Sequence, residues 1–115
     1  MTDGKTHICG MLGFARRAGK LTIGTESVCL AMAKRGAMRP YLILVSHAAS
    51  DGTKKKVATK GDYYGLPVRE LPLDTEEIGH LLGKTTTPAA LAVHDAHIAE
   101  ELMRATCPVT IATKG

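Results

Sequence analysis

The run Tyr41-Leu42-Ile43-Leu44-Val45-Ser46 constrains this chain more than any other stretch. It is apolar at consecutive positions for the length of a strand, set between Pro40 and a polar loop that starts at His47. A strand with one wet face alternates apolar and polar residues, so a strand without alternation must be covered on both faces. A chain built around it needs helices packed on two sides of a sheet.

The flanking segments supply them. Ile8, Met11, Leu12, Ala15 and Ala18 recur at helical spacing. Asp3 or Thr6 is placed to cap that helix, and Gly19 sits at its left-handed close. Leu21-Thr22-Ile23 is a very short extended run. Gly24-Thr25-Glu26-Ser27 then opens a second helix that the pattern ends at Lys34-Arg35-Gly36. Its middle, from Val28 to Ala33, is apolar all the way round, which predicts burial on more than one side and leaves only the tips for chemistry.

Beyond the long apolar run, Ser50 or Asp51 caps a third helix. Thr53, Val57 and Tyr64 make its inner stripe, with Lys54, Lys55, Lys56 and Lys60 over the rest as a solvated face. Pro67 to Leu71 is a short strand suited to a place near the sheet edge. Asp74 with Glu77 makes a capping box for a helix buried through Ile78, Leu81 and Leu82 and closed by Gly83. A polar loop from Lys84 to Pro88 leads to a second buried strand, Ala89 to His94. Asp95 caps a last helix buried through Ile98, Ala99, Leu102 and Met103, and Val109 to Ala112 is a strand-like tail. Helix and strand alternate throughout, the pattern of an α/β fold with helices on both faces of its sheet.

At 115 residues the chain has room for one core, hence one domain over 1–115. The net charge of +4 is a mild basic bias shared by many proteins without a nucleic-acid partner. Only 3% of residues are aromatic, which argues against binders that stack a run of single-stranded bases on several rings. Cys9, Cys29 and Cys107 are odd in number, far apart and in apolar settings, so they read as reduced core thiols. No apolar run has membrane-spanning length and the first residues hold no signal-peptide core, which predicts a cytoplasmic protein.

Catalytic patterns fail one by one. Gly83-Lys84-Thr85 resembles the end of a phosphate loop, but the required upstream glycine is Ile78 and the segment follows a helix instead of a strand. His94-Asp95-Ala96-His97 lacks the further ligands a zinc site needs, and Asp95 is better used as a helix cap. No nucleophile elbow or dinucleotide fingerprint occurs, and nothing gathers an acid, a base and a nucleophile. The expectation is a protein without catalytic residues, cofactor or metal.

One binding surface does stand out. A Gly-Thr step at a helix start leaves backbone N–H groups unpaired, lets a ligand approach closely, and presents the positive end of the helix dipole to phosphate. Arg16, Arg17 and Lys20 are expected beside that tip, though two arginines in a last turn also complement their own helix dipole.

Leu12-Gly13-Phe14-Ala15-Arg16-Arg17-Ala18-Gly19-Lys20-Leu21, followed by Gly24 at a helix start, resembles the kink-turn RNA-binding ribosomal protein family, the group of L-seven-Ae, L-thirty-e, S-twelve-e and Gadd-forty-five. The likeness is strongest to its small bacterial, YlxQ-like branch. Thr53-Lys54-Lys55-Lys56, Tyr63-Tyr64-Gly65-Leu66-Pro67-Val68 and Ile78-Gly79-His80-Leu81-Leu82-Gly83-Lys84 add to it in the family's order. The resemblance implies a three-layer α/β/α sandwich around a mixed four-stranded sheet. It implies a monomeric RNA-binding protein, associated with structured or ribosomal RNA. The implied contacts are Arg16, Arg17, Lys20, Gly24, Thr25, Glu26, Ser27, Lys34 and Arg35, with Gly83, Lys84, Thr85 and Thr86 from the loop before the last main strand. The family's RNA binders open this helix with Gly-x-Asn-Glu and carry a lysine three positions beyond the Glu. Here Glu26 stands for the Asn, Ser27 for the Glu and Leu30 for the Lys. An Asn both donates and accepts, as a sheared G·A core demands, whereas a carboxylate only accepts. A second reading follows from those departures: a protein–protein interaction module on the same fold that has lost its RNA site.

Overall fold

The structure, a computed structural model, describes residues 4–83 and 87–109. Its elements are α1 (Gly4–Arg17), β1 (Leu21–Ile23), α2 (Thr25–Met32), a 3-10 turn (Gly36–Met38), β2 (Leu42–Ser46), α3 (Asp51–Tyr63), β3 (Val68–Leu71), α4 (Thr75–Leu81), β4 (Ala90–Val93), α5 (Ala96–Ala105) and β5 (Cys107–Pro108). The strands make one mixed sheet in the order β1-β4-β2-β3-β5. β2 and β3 are parallel and the other neighbours antiparallel.

Every residue of β2 is buried, as its unbroken apolar run requires. Leu42 and Leu44 face one core with Leu91 and Val93, covered by Ile8 and Leu12 of α1, Ile78 of α4, and Ile98 and Leu102 of α5. Ile43 and Val45 face the other with Ala90 and Ala92, covered by Val28 and Met32 of α2 and Val57 of α3. This is the α/β sandwich expected, with helices on both faces.

Helix ends follow local chemistry. At the end of α1, Lys20 N–H donates to Ala15 C=O (2.9 Å) and Gly19 N–H to Arg16 C=O (3.1 Å), a Schellman close around Gly19 at φ +72°. Ser50, not Asp51, caps α3 by accepting from Thr53 N–H. Asp74 and Glu77 form the full capping box, and Asp95 accepts from Ile98 N–H.

Several expectations need correction. The sheet has five strands among the described residues, not four, because Cys107–Pro108 pairs with Arg69–Glu70 and shields β3 from the edge. The strand-like run expected from Val109 on lies, after Val109, outside the described residues. α2 ends at Met32 rather than Arg35, its last turn tightened by short bonds from Ala33 to Leu30 and from Lys34 to Ala31. It is also less buried than its composition implies: Val28, Ala31 and Met32 are buried, but Leu30 is 71% exposed. The inner stripe of α3 is Lys54, Val57 and Gly61, one step round from the pattern read in the sequence. Lys54 is buried and paired with Glu70 of β3 at 3.7 Å. Gly61 is bare because Val68 and the Leu66 carbonyl occupy the space a Cβ would need. The cysteines are not core residues either: Cys9 and Cys29 are half-buried and Cys107 is exposed.

Candidate nucleic-acid interface

Gly24 alone joins β1 to α2. Its φ of 104° and ψ of 141° lie where side chains are strained, and a Cβ there would meet nothing within 4 Å. Its N–H donates to Ala90 C=O (2.9 Å) and its C=O accepts from Val28 N–H (2.8 Å), so the tip of α2 is stitched to the first residue of β4. That N–H is therefore committed to the sheet and is not offered to a ligand. No side chain caps the helix. The N–H groups of Thr25, Glu26 and Ser27 consequently have no partner among the described residues. Glu26 and Ser27 are exposed, and the Glu26 carboxylate partly answers the dipole itself.

The cations expected beside the tip stand elsewhere. Lys20 is at the opposite end of β1, about 13 Å along an extended chain. Arg16 and Arg17 are exposed at the end of α1, and Arg17 lies back over Gly13, its Nη1 3.7 Å from where a Cβ there would be.

A groove nonetheless joins Lys20 to α2. A depression of 290 Å³ holds Lys20, Thr22, Met38 and His94 in its wall. An adjoining one of 240 Å³ shares Thr22, Met38 and His94 and adds Ser27 and Leu30 of α2 with Lys34 from just beyond its end. At its floor Thr22 Oγ1 and His94 Nε2 are 2.7 Å apart. The sheet explains the pair: Thr22 is opposite Ala92, and His94 follows Ala90 and Ala92 on the α2 side. Partial burial, and then the charge of Lys20, hold the His94 imidazole below its ordinary pKa of 6.5; a hydrogen bond with the Met38 backbone opposes them. The ring is neutral near pH 7, able to accept from Thr22.

No protein-family model matches the chain. Over 74 residues it is 39% identical to the RNA-binding protein YlxQ of Enterococcus faecium, covering 64% of this chain and 68% of that protein. Over 93 residues it is 33% identical to the RNA-binding protein YlxQ of Bacillus subtilis (strain 168), covering 81% and 88%. The chain belongs to the YlxQ family. Among solved structures, a protein of unknown function from Bacillus halodurans C has a TM-score of 0.73 to it at 28% identity, covering 85% of this chain and 94% of that one.

In this YlxQ-family chain the second expected patch is described only in part. Gly83 is exposed at φ +67° and its N–H closes α4 on His80 C=O (3.3 Å). Lys84, Thr85 and Thr86 lie outside the described residues. Thr87 is exposed, and the segment returns through Ala90, whose carbonyl holds Gly24, so its end adjoins the α2 tip. Lys34 and Arg35 are exposed just beyond the far end of α2, a helix about 12 Å long. The sequence offers His94 only as a metal ligand, which it then excludes, and gives no mark to Thr22; the alternation Ala90, Ala92, His94 along β4 is the signal that places His94 on the α2 side. No helix among the described residues is long and apolar enough to cross a membrane.

Proposed function

We propose that this chain is a non-enzymatic RNA-binding protein that grips a folded RNA by its backbone at the α2 tip and along the groove beside it. The observation that carries the reading is the bare helix start. α3, α4 and α5 are each capped by a side chain, while α2 begins on a glycine with three N–H groups unclaimed among the described residues. Such a start favours phosphate through its donors and its dipole. The relatives' name, RNA-binding protein YlxQ, points the same way.

In this reading Thr25 and Ser27 hold phosphate or sugar at the tip and Glu26 accepts from a base amino group. Gly24 lets the backbone approach. Lys20 and Lys34 neutralise phosphates along the groove, with Arg16, Arg17 and Arg35 flanking it, and Gly83, Lys84, Thr85 and Thr86 supply the second contact. The target class we propose is a kink-turn or similarly bent duplex, in ribosomal RNA or another structured transcript, bound by a cytoplasmic monomer.

A gel-shift against a kink-turn hairpin, a plain duplex and a single strand tests it. The kink-turn should bind tightest, with affinity falling steeply as salt rises. Lys20→Glu and Lys34→Glu should each weaken binding by about tenfold. Unchanged affinity in the double variant would sink the proposal. The alternative, a protein-docking module, is favoured by the exposure of Leu30 (71%) and Met38 (61%) on that same groove. It requires a protein partner that stays bound through nuclease and high salt.

A further inference from the structure

The groove does not stop at Lys34. That residue also lines a 310 Å³ depression with Arg35, Arg39 and Tyr64, and Arg39 in turn lines a 300 Å³ one with Tyr41, Gly65 and Pro67. Shared wall residues thus link Ser27 at the α2 tip to Tyr41 at the start of β2. No lysine or arginine on this track is in an ion pair among the described residues. Arg39 is held in place as a cap on α3, its Nη2 donating to Tyr64 C=O at 2.7 Å and to Gly65 C=O at 3.5 Å, which leaves its Nε and Nη1 donors without a partner among the described residues and available to an anion. Asp62, in the last turn of α3, is the acid nearest in sequence to that end of the track and is exposed.

The aromatic residues point to what the anion carries. Phe14 (54% exposed), Tyr41 (52%) and Tyr63 (81%) all lie outside the core, and Tyr64 is only half-buried. The Tyr41 backbone is anchored by its N–H on Val93 C=O (2.8 Å), and Tyr41 lines the same depression as Arg39. An acidic peptide needs only the cations. A nucleotide uses the cations for its phosphate and the ring face for its base. With so few rings, one stacked base is what this end accommodates.

We infer that the Lys34–Arg39–Tyr41 track is a second RNA contact, which takes a single-stranded extension leaving the structured RNA at the α2 tip and stacks one of its bases on Tyr41. The inference rests on the RNA-binding reading above. Its test uses the full chain, the kink-turn hairpin with and without a uridine tail of about six nucleotides, and fluorescence anisotropy. The tail should tighten binding about tenfold. Tyr41→Ala should remove that gain while leaving the tail-less hairpin unaffected, and Tyr41→Phe should keep it. Equal affinity for tailed and tail-less RNA overturns the inference and leaves the first reading standing. Loss of affinity for both RNAs in a folded Tyr41→Ala chain also overturns it. So does displacement of the tail alone by polyglutamate, which would mark an acidic-peptide surface. Failure of either RNA to bind the unaltered chain overturns both readings.

Discussion

The two helical layers of this protein treat charge in opposite ways. The layer of α1, α4 and α5 carries Asp74, Glu76, Glu77, Asp95, Glu100 and Glu101, and apart from Arg16 and Arg17 at the end of α1 its lysine and arginine side chains are paired locally. Lys5 pairs with Glu77 at 2.8 Å, Arg104 with Glu100 and Glu101 at 3.6 Å, and His7 approaches Glu101 at 3.6 Å. Around α2 and α3, Glu26, Asp51 and Asp62 face Lys34, Arg35, Arg39, Lys55, Lys56 and Lys60 with no ion pair on the surface among the described residues. A modest net charge of +4 thus hides a molecule with one side largely self-paired, save for Arg16 and Arg17 at the end of α1, and one side whose charge awaits a partner. The lesson is that overall charge underreports a binding surface when acids are segregated by layer.

Lys54 is the exception on the basic side, and it gives the largest effect. Its ion pair with Glu70 is mostly shielded from water. Glu70→Gln should leave that lysine charge uncompensated at the α3–β3 seam and lower stability by about 3 kcal/mol, measured by urea denaturation. A loss under about 1 kcal/mol would mean that the ammonium escapes to solvent and the pair is a surface one. Next in size is Gly24→Ala. At φ 104° the new side chain has space but a strained backbone, so the cost should be about 2 kcal/mol with the fold retained. Ser50→Ala removes a true side-chain cap from α3 and should cost about 1 kcal/mol. Thr25→Ala and Ser27→Ala at the α2 tip should cost less, because neither side chain caps that helix. If they cost as much as Ser50→Ala, the α2 start is not bare and the contrast between helix tips disappears.

What was legible in the sequence was whatever local chemistry decides. Leu42–Ser46 announced a strand covered on both faces because burial on two sides abolishes alternation. Gly19, Asp74 and Asp95 marked helix ends because capping involves only a few consecutive residues. What stayed hidden depended on elements distant in sequence. Lys54 looked like one member of a solvated lysine run, and only the packing of α3 on β3 turns it inward toward Glu70. Leu30 looked buried because its neighbours are apolar, but no strand or helix among the described residues covers it. β5 was too short to carry a pattern. The groove has the same origin: Lys20, Ser27, Lys34 and His94 meet only after β1 pairs with β4 and α2 folds over them.

The smallest expected effect probes that meeting point. His94 has its pKa lowered by burial and then by Lys20, so the folded protein favours the neutral ring more than the unfolded chain does. A group with a depressed folded-state pKa contributes stability that is present above its unfolded value and is lost as pH falls through the folded one. Between about pH 7.5 and about pH 5.5, the range in which histidines change charge, the midpoint of thermal unfolding should therefore fall slightly, and His94→Gln should flatten that slope. The paired layer offers the control. Lys5 keeps the Glu77 carboxyl below its ordinary range, chiefly by their hydrogen bond, so that contribution persists above about pH 4.5 and fades only in stronger acid. A slope near pH 6 that survives His94→Gln would locate the sensitive group in another histidine instead, and the groove would lose its claim to hold a neutral imidazole between Thr22 and Met38.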